Sequence, residues 1–97
     1  MRIEISKSTR PDKKYMAVAQ GKTIHFGQKG ASDYTQHQDP ARKGSYVARH
    51  APTENWTRSG LLTPGFLSKH ILWNKPTIKE SIADLNKRYK SAQFVLT

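Results

Sequence analysis

Ile78, Ile82, Leu85 and Tyr89 constrain the architecture of this chain more than any other residues. At about 100° per residue they fall within roughly 60° of one another on a helix, leaving a polar remainder. Such a helix is stable when its apolar stripe is buried against another layer. Thr77 followed by Glu80 reads as a capping box that starts it. The N-terminal segment offers strands. Ile3 and Ile5 alternate with Arg2, Glu4 and Ser6, and the polar run Lys7 to Lys14, with Pro11, interrupts the pattern. Tyr15 to Ala19 and Thr23 to Phe26 flank Gln20, Gly21 and Lys22, so the two runs read as a hairpin. On its second arm Ile24 and Phe26 share one face and His25 points to the other.

Gln28 to Gln38 reads as loop, with Gly27 and Gly30 marking its entry. Asp39 before Pro40 is a helix start: the carboxylate accepts orphan amide protons, and proline at the first helical position sacrifices no hydrogen bond. The spacing predicts a short helix to about His50, weakened by Gly44 and stopped by Pro52. Arg42, Tyr46 and Arg49 lie on one side of it, a basic stripe with one aromatic. Thr63 and Pro64 repeat the cap-then-proline pattern before Phe66, Leu67, Ile71, Leu72 and Trp73, which point to most directions around a helix and predict burial on several sides. Gln93 to Leu96 reads as a closing strand. The sum is a single α+β domain over residues 1–97: a small antiparallel sheet of three to four strands packed on about three helices.

Charge narrows the partners. Lys and Arg number 17 against 7 Asp and Glu, a formal net charge of +10. That excess points to a polyanion: nucleic acid, an acidic protein surface or an anionic membrane surface. Membrane insertion is not expected, because the most apolar stretch, GFLSKHILW, is short and interrupted by Lys69 and His70. The N-terminus MRIEISKSTR alternates where a signal peptide would be an apolar block, and the chain has no cysteine. Both features fit an intracellular or virion setting.

The unusual chemistry lies between His25 and His50, HFGQKGASDYTQHQDPARKGSYVARH. His25, Asp33, His37 and His50 are residue types that ligate divalent metals, and a phosphoryl-transfer site would want nearby cations such as Arg42 and Arg49. Their spacing matches no recognised metal or nuclease motif. The alternative is that Ser32, Asp33 and Thr35 cap turns while His25 or His37 bonds a backbone carbonyl. For nucleic acid the pattern is charge interleaved with aromatics. Arg42, Lys43, Tyr46, Arg49 and His50 lie on one short helix, Trp56 and Arg58 follow it, and Lys87, Arg88 and Lys90 end the last helix. Lys and Arg at a helix end also meet the macrodipole, and Asp84 can pair with Arg88. A tryptophan such as Trp56 is more often a core anchor than a stacking platform. No zinc-finger, RNA-recognition or phosphate-loop signature is present.

Several blocks together carry a resemblance: His25, Phe26 and Gly27; Ser32, Asp33, Tyr34 and Thr35 with His37; Asp39 with Arg42, Tyr46, Arg49 and His50; Trp56; and Leu72 to Thr77. From about Lys14 to Tyr89 the chain resembles a family of short uncharacterised proteins encoded by large DNA viruses and tailed phages. The relatives tend to carry tryptophans where this chain has Leu67 and His70. The resemblance implies a viral origin, a place in the host cytoplasm or the virion, and an α+β domain; it implies no biochemical activity. The expectation is a small basic, non-enzymatic protein without cofactor or metal that contacts nucleic acid or another acidic partner through a basic face. Alternatives are a virion structural or assembly protein bound to other virion components, and a host-directed inhibitor. A minor alternative is a metal-dependent enzyme using His25, Asp33 and His37.

Overall fold

The computed structural model describes residues 1–97. Strands β1 (Arg2–Lys7), β2 (Lys13–Ala19), β3 (Lys22–Gln28) and β4 (Gln93–Leu96) form one sheet in the order β3-β2-β1-β4. Alternation decides its faces. Ile3, Ile5, Ala17, Ala19, Phe26 and Phe94 are buried on one side, whereas Glu4 and Val18, paired across β1 and β2, are exposed on the other. The hairpin turn is Gln20 and Gly21, both with positive φ, which matches the twist of the flanking strands. The sheet is mixed, not wholly antiparallel. β4 runs parallel to β1, with Arg2 opposite Gln93, because the helices return the chain to the end of the sheet where β1 begins.

Four helices accompany the sheet: α1 (Tyr34–His37), α2 (Pro40–His50), α3 (Pro64–Leu67) and α4 (Ile78–Arg88). The short α1 falls in the segment expected to be loop. The capping box expected at Thr77 is only half made. Thr77 Oγ1 accepts from the Glu80 amide at 3.1 Å, but Glu80 returns no bond. The complete box is at Asp33, whose side chain accepts from the first turn of α1 while Gln36 accepts from the Asp33 amide. Thr63 caps α3 with Pro64 behind it, as the sequence suggests. Past Leu67 the helix widens into a π-turn, Ser68–Leu72, closed by Trp73 N–H to Ser68 O at 3.1 Å. The wide turn still buries Ile71 and Leu72 beside Phe66 and Leu67. α4 lays Ile82 and Leu85 on the same core, with Ile78 and Tyr89 half-buried beside them. No helix is long and apolar enough to cross a membrane.

Two polar arrangements fasten this body. Asn86 of α4 makes paired bonds to β4, accepting from Phe94 N–H at 2.7 Å and donating to Phe94 O at 2.9 Å, so a side chain satisfies part of the sheet edge. His70, 2 % exposed, lies between the Trp56 carbonyl at 3.1 Å from Nε2 and the Arg88 guanidinium at 3.0 Å from Nδ1. The ring is therefore the neutral Nε2–H tautomer. Arg88 itself pairs with Asp84, which also accepts from Asn74. The cations that end α4 are thus partly structural.

Two tests follow from this packing. Ile82→Ala should cost about 2 to 5 kcal/mol through lost burial and cavity formation, whereas exposed Lys79→Ala should change stability by no more than about 0.5 kcal/mol in urea unfolding. The second concerns acid. Burial pushes the His70 imidazole from 6.5 down to about 4, and Lys69 and Arg88 add to this against the Trp56 bond and Asp84. The unfolded chain takes up that proton first as pH falls, so this contribution is complete above about 6.5 and shrinks by roughly 3 kcal/mol as pH approaches 4. Unfolding curves near pH 7 and near pH 4 should show that loss in the native chain and much less of it in His70→Gln. An equal loss in the variant would assign acid sensitivity to the carboxylates instead.

Candidate functional site

The His25–His50 segment does not form one cluster. His25, on the outer face of β3, bonds Ser8 Oγ through Nδ1 at 2.7 Å. Asp33, buried to 3 % exposure, receives Lys14 Nζ at 2.6 Å and the amide of Thr35 at 3.0 Å. Lys14 also reaches Gln36 Oε1 at 3.0 Å, so one cation ties β2 to the capping box of α1. His37 Nδ1 accepts the Asp39 amide at 3.0 Å. Each of the three is engaged elsewhere, and no group of three or more His, Asp or Glu side chains could hold a metal ion. The grouping of His25, Asp33 and His37 as a metal or catalytic cluster is therefore set aside. Gly27 has a steric reason: its φ is +79°, and a Cβ there would lie 2.7 Å from Leu72 Cδ1 and 3.3 Å from Lys14 Cβ.

α2 carries the basic stripe of this region. Asp39 caps it through the Ala41 amide at 2.9 Å, yet none of its residues is buried. Aromatic stacking holds it in place. Tyr46 lies flat on Trp73, centroids 4.2 Å apart and planes within 4°, and His50 lies 4.3 Å from Tyr46. Two rings so close cannot share one face of the phenol, so Trp73 and His50 cover both. Burial pushes the Tyr46 hydroxyl up to about 12, with the charge of Glu54 adding and that of Arg49 opposing. A second tether is Lys43, which donates to Asn74 O at 2.6 Å and passes 5.1 Å over the Tyr34 ring.

The expected contact residues therefore separate. Arg42, Arg49 and His50 remain on the accessible side of α2, whereas Tyr46 is turned onto Trp73 and Lys43 inward as a staple. Trp56 stands apart. Its carbonyl holds His70, Lys69 Nζ sits 5.6 Å over one face of its half-buried ring, and its Nε1 is buried without a partner, so it is tied to the π-turn segment and not to α2. Arg58 borders a different hollow, near Met1 and Leu62. Of the motif residues, Ser32 and Asp33 border the same cleft as α2, while Tyr34 and Thr35 belong to α1.

That cleft, about 530 Å³, runs between α2, the end of the β2–β3 hairpin and the start of α3. Lys13, Lys14, Arg49 and His50 border it, as do the acids Asp33 and Glu54. Asp33 is neutralised by Lys14. The Glu54 carboxylate lies against Gly65, in the first turn of α3, where a β-carbon would displace it. A smaller concavity of about 250 Å³ adjoins it on the other side of Tyr46, bordered by Arg42, Ser45 and Arg49 of α2 with Ser32 and His37 opposite. Arg42 and Arg49 have no acid within salt-bridge distance. Sequence reading missed Lys13, Lys14, Gln36, Ser45, Glu54 and Trp73. A signal existed for Gln36, three residues after Asp33 at a cap spacing. Ser45 had one too, since it shares the helix side of Arg42 and Arg49. The others come from separate parts of the chain.

Residues 3–50 are similar to a protein family described only as a family of unknown function (DUF5754). The similarity therefore spans β1 to the end of α2 and stops short of Trp73, on which α2 rests. No curated protein and no solved structure matches the chain.

Removing Asp33 should be the costliest change in this region. Asp33→Ala leaves the Lys14 ammonium without its carboxylate and uncaps α1, which should cost about 3 kcal/mol, against about 1 kcal/mol for His25→Ala. Mn²⁺ and Zn²⁺ should leave the melting temperature of the native chain unchanged. A Zn²⁺ stabilisation that disappears in His37→Ala would instead establish a metal site.

Proposed function

We propose that this protein binds nucleic acid through its phosphates, using the accessible side of α2 and the adjoining cleft. The observation that carries this reading is the state of Arg42 and Arg49. They are exposed, seven residues apart on one side of a helix, and no carboxylate answers them. Only four of the seven acids form ion pairs, with Arg2, Arg10, Lys14 and Arg88, so most of the seventeen cations have no partner within the chain. Polyanions with regularly spaced charge are the natural complement to such a surface.

The aromatic residues narrow the mode of binding. Base stacking needs an open ring face. Tyr46 has neither face open, and Trp56 carries Lys69 over its ring. At α2 the contacts are therefore to the backbone, independent of sequence, and Tyr46 offers an unpaired strand no stacking face. The viral setting implied by the sequence resemblance belongs to the same proposal: a small basic domain that lies on viral nucleic acid, in the host cytoplasm or in the particle. A reading as a virion assembly protein fits the same charged surface, and no separate observation favours it.

Fluorescence anisotropy with labelled DNA of random sequence tests the reading. Duplex should bind at least as tightly as single strand of equal length, and affinity should fall steeply with salt through counterion release. Arg42→Glu with Arg49→Glu should weaken binding by about tenfold or more, well beyond the effect of Lys87→Glu with Lys90→Glu. Absence of binding at low salt would remove the proposal, and marked preference for single strand would restore a stacking role for the aromatics.

A further inference from the structure

The smaller concavity beside α2 has the chemistry of a seat for one anionic group. Arg42, Ser45 and Arg49 stand on one side of it at i, i+3 and i+7, with Ser32 and His37 across from them. No acid borders it. Its floor is the stacked pair Tyr46 and Trp73, so the walls are carried by α2, by the loop before α1 and by α1 itself, each fixed independently by capping or stacking. The backbone that carries the donors is thus set before a ligand arrives, and only side-chain freedom remains to be lost.

His37 forms part of the opposite wall. Its Nδ1 accepts the Asp39 amide, so the ring proton resides on Nε2, and that atom is shut off from solvent with no partner in the protein. The ring therefore serves the concavity as a wall packed on Trp73, and the donors available to an anion are the two guanidinium groups and the two serine hydroxyls. Two guanidinium groups further select a tetrahedral oxyanion over a halide, since their planar forks can each offer two parallel N–H donors to it.

We propose that this concavity is a phosphate-binding site, formed by Arg42, Ser45 and Arg49 of α2 with Ser32 and His37 opposite. It deepens the reading above and rests on it only for what carries the phosphate, a nucleic-acid backbone or a terminal phosphomonoester. The site turns a generally basic surface into one with a defined point of attachment. The hydroxyls of Ser32 and Ser45 complete the donor set that the arginines begin, each able to rotate toward an oxygen.

The test uses the full chain and inorganic phosphate against chloride at constant ionic strength, followed by NMR of the arginine Nε and histidine ring resonances. Saturable shifts at Arg42, Arg49 and His37, absent with chloride, are expected, with Arg58 unmoved. Arg42→Gln and Arg49→Gln should each weaken phosphate binding by about tenfold, while Arg58→Gln leaves it unchanged. Both arginines are exposed and their variants should keep the native fold, which the amide spectrum checks. Duplexes with and without a 5′-phosphate then separate the carriers. Tighter binding of the phosphorylated duplex assigns a terminal phosphomonoester; equal binding, with inorganic phosphate competing, assigns internal phosphodiesters. Absence of saturable phosphate shifts while DNA still binds would overturn the site and leave the proposed function standing. Phosphate binding without DNA binding would do the reverse.

Discussion

The position of α2 depends on one flat contact, the Tyr46 ring against the Trp73 indole. A helix with no buried residue has no apolar stripe to fix its rotation. Most helices of small domains are oriented by such a stripe. Here two rings with planes within 4° replace it, and Lys43 adds a tether to the Asn74 carbonyl. Everything proposed about Arg42 and Arg49 follows from that arrangement. Rotating α2 by a single residue would send the arginines about 100° away from Ser32 and His37.

The cations sort by what the fold asks of them. Lys14 is consumed by Asp33, Arg88 by Asp84 and His70, and Lys43 by a carbonyl and an aromatic face. These joints hold segments that have little apolar surface of their own. Arg42 and Arg49 do none of this. Exposed side chains that make no internal bond keep their rotamer freedom and leave their charge available to an outside partner. The same division explains why a count of basic residues along the sequence overstated the contact surface. Lys43 and Arg58 belonged to it by spacing and leave it by orientation.

Local patterns were legible in the sequence and distant joints were not. Alternation at Ile3 and Ile5 gave β1, the cap and proline at Asp39 and Pro40 gave α2, and the stripe from Ile78 to Tyr89 gave α4. These depend on neighbours within a turn or two. The parallel pairing of β4 with β1 joins the two ends of the chain, and nothing in QFVL states the direction of its partner. Lys14 meets Asp33 across 19 positions and Lys43 meets Asn74 across 31, where periodicity carries no information. The four residues of α1 are too few for an apolar period to show. Half of the candidate site was visible as the stripe of Arg42, Tyr46 and Arg49. The other half, Ser32 and His37 across the concavity, is brought there by α1 and its cap.

The π-turn at Ser68–Leu72 carries a consequence for how this chain tolerates change. A wide turn accommodates one residue more than the α-helical path between the same two points. Trp73 closes that turn, so its direction is set by the number of residues before it as well as by their identity. Conservative replacements within SKHIL would leave the indole where it is. A deletion of one residue would let the segment relax to ordinary pitch, swing the indole out from under Tyr46 and carry Ile71 and Leu72 out of their places in the core beside α4. Along this stretch the protein is a vernier: chain length sets where the indole stands, and the contact of that indole with Tyr46 passes the setting to the basic face.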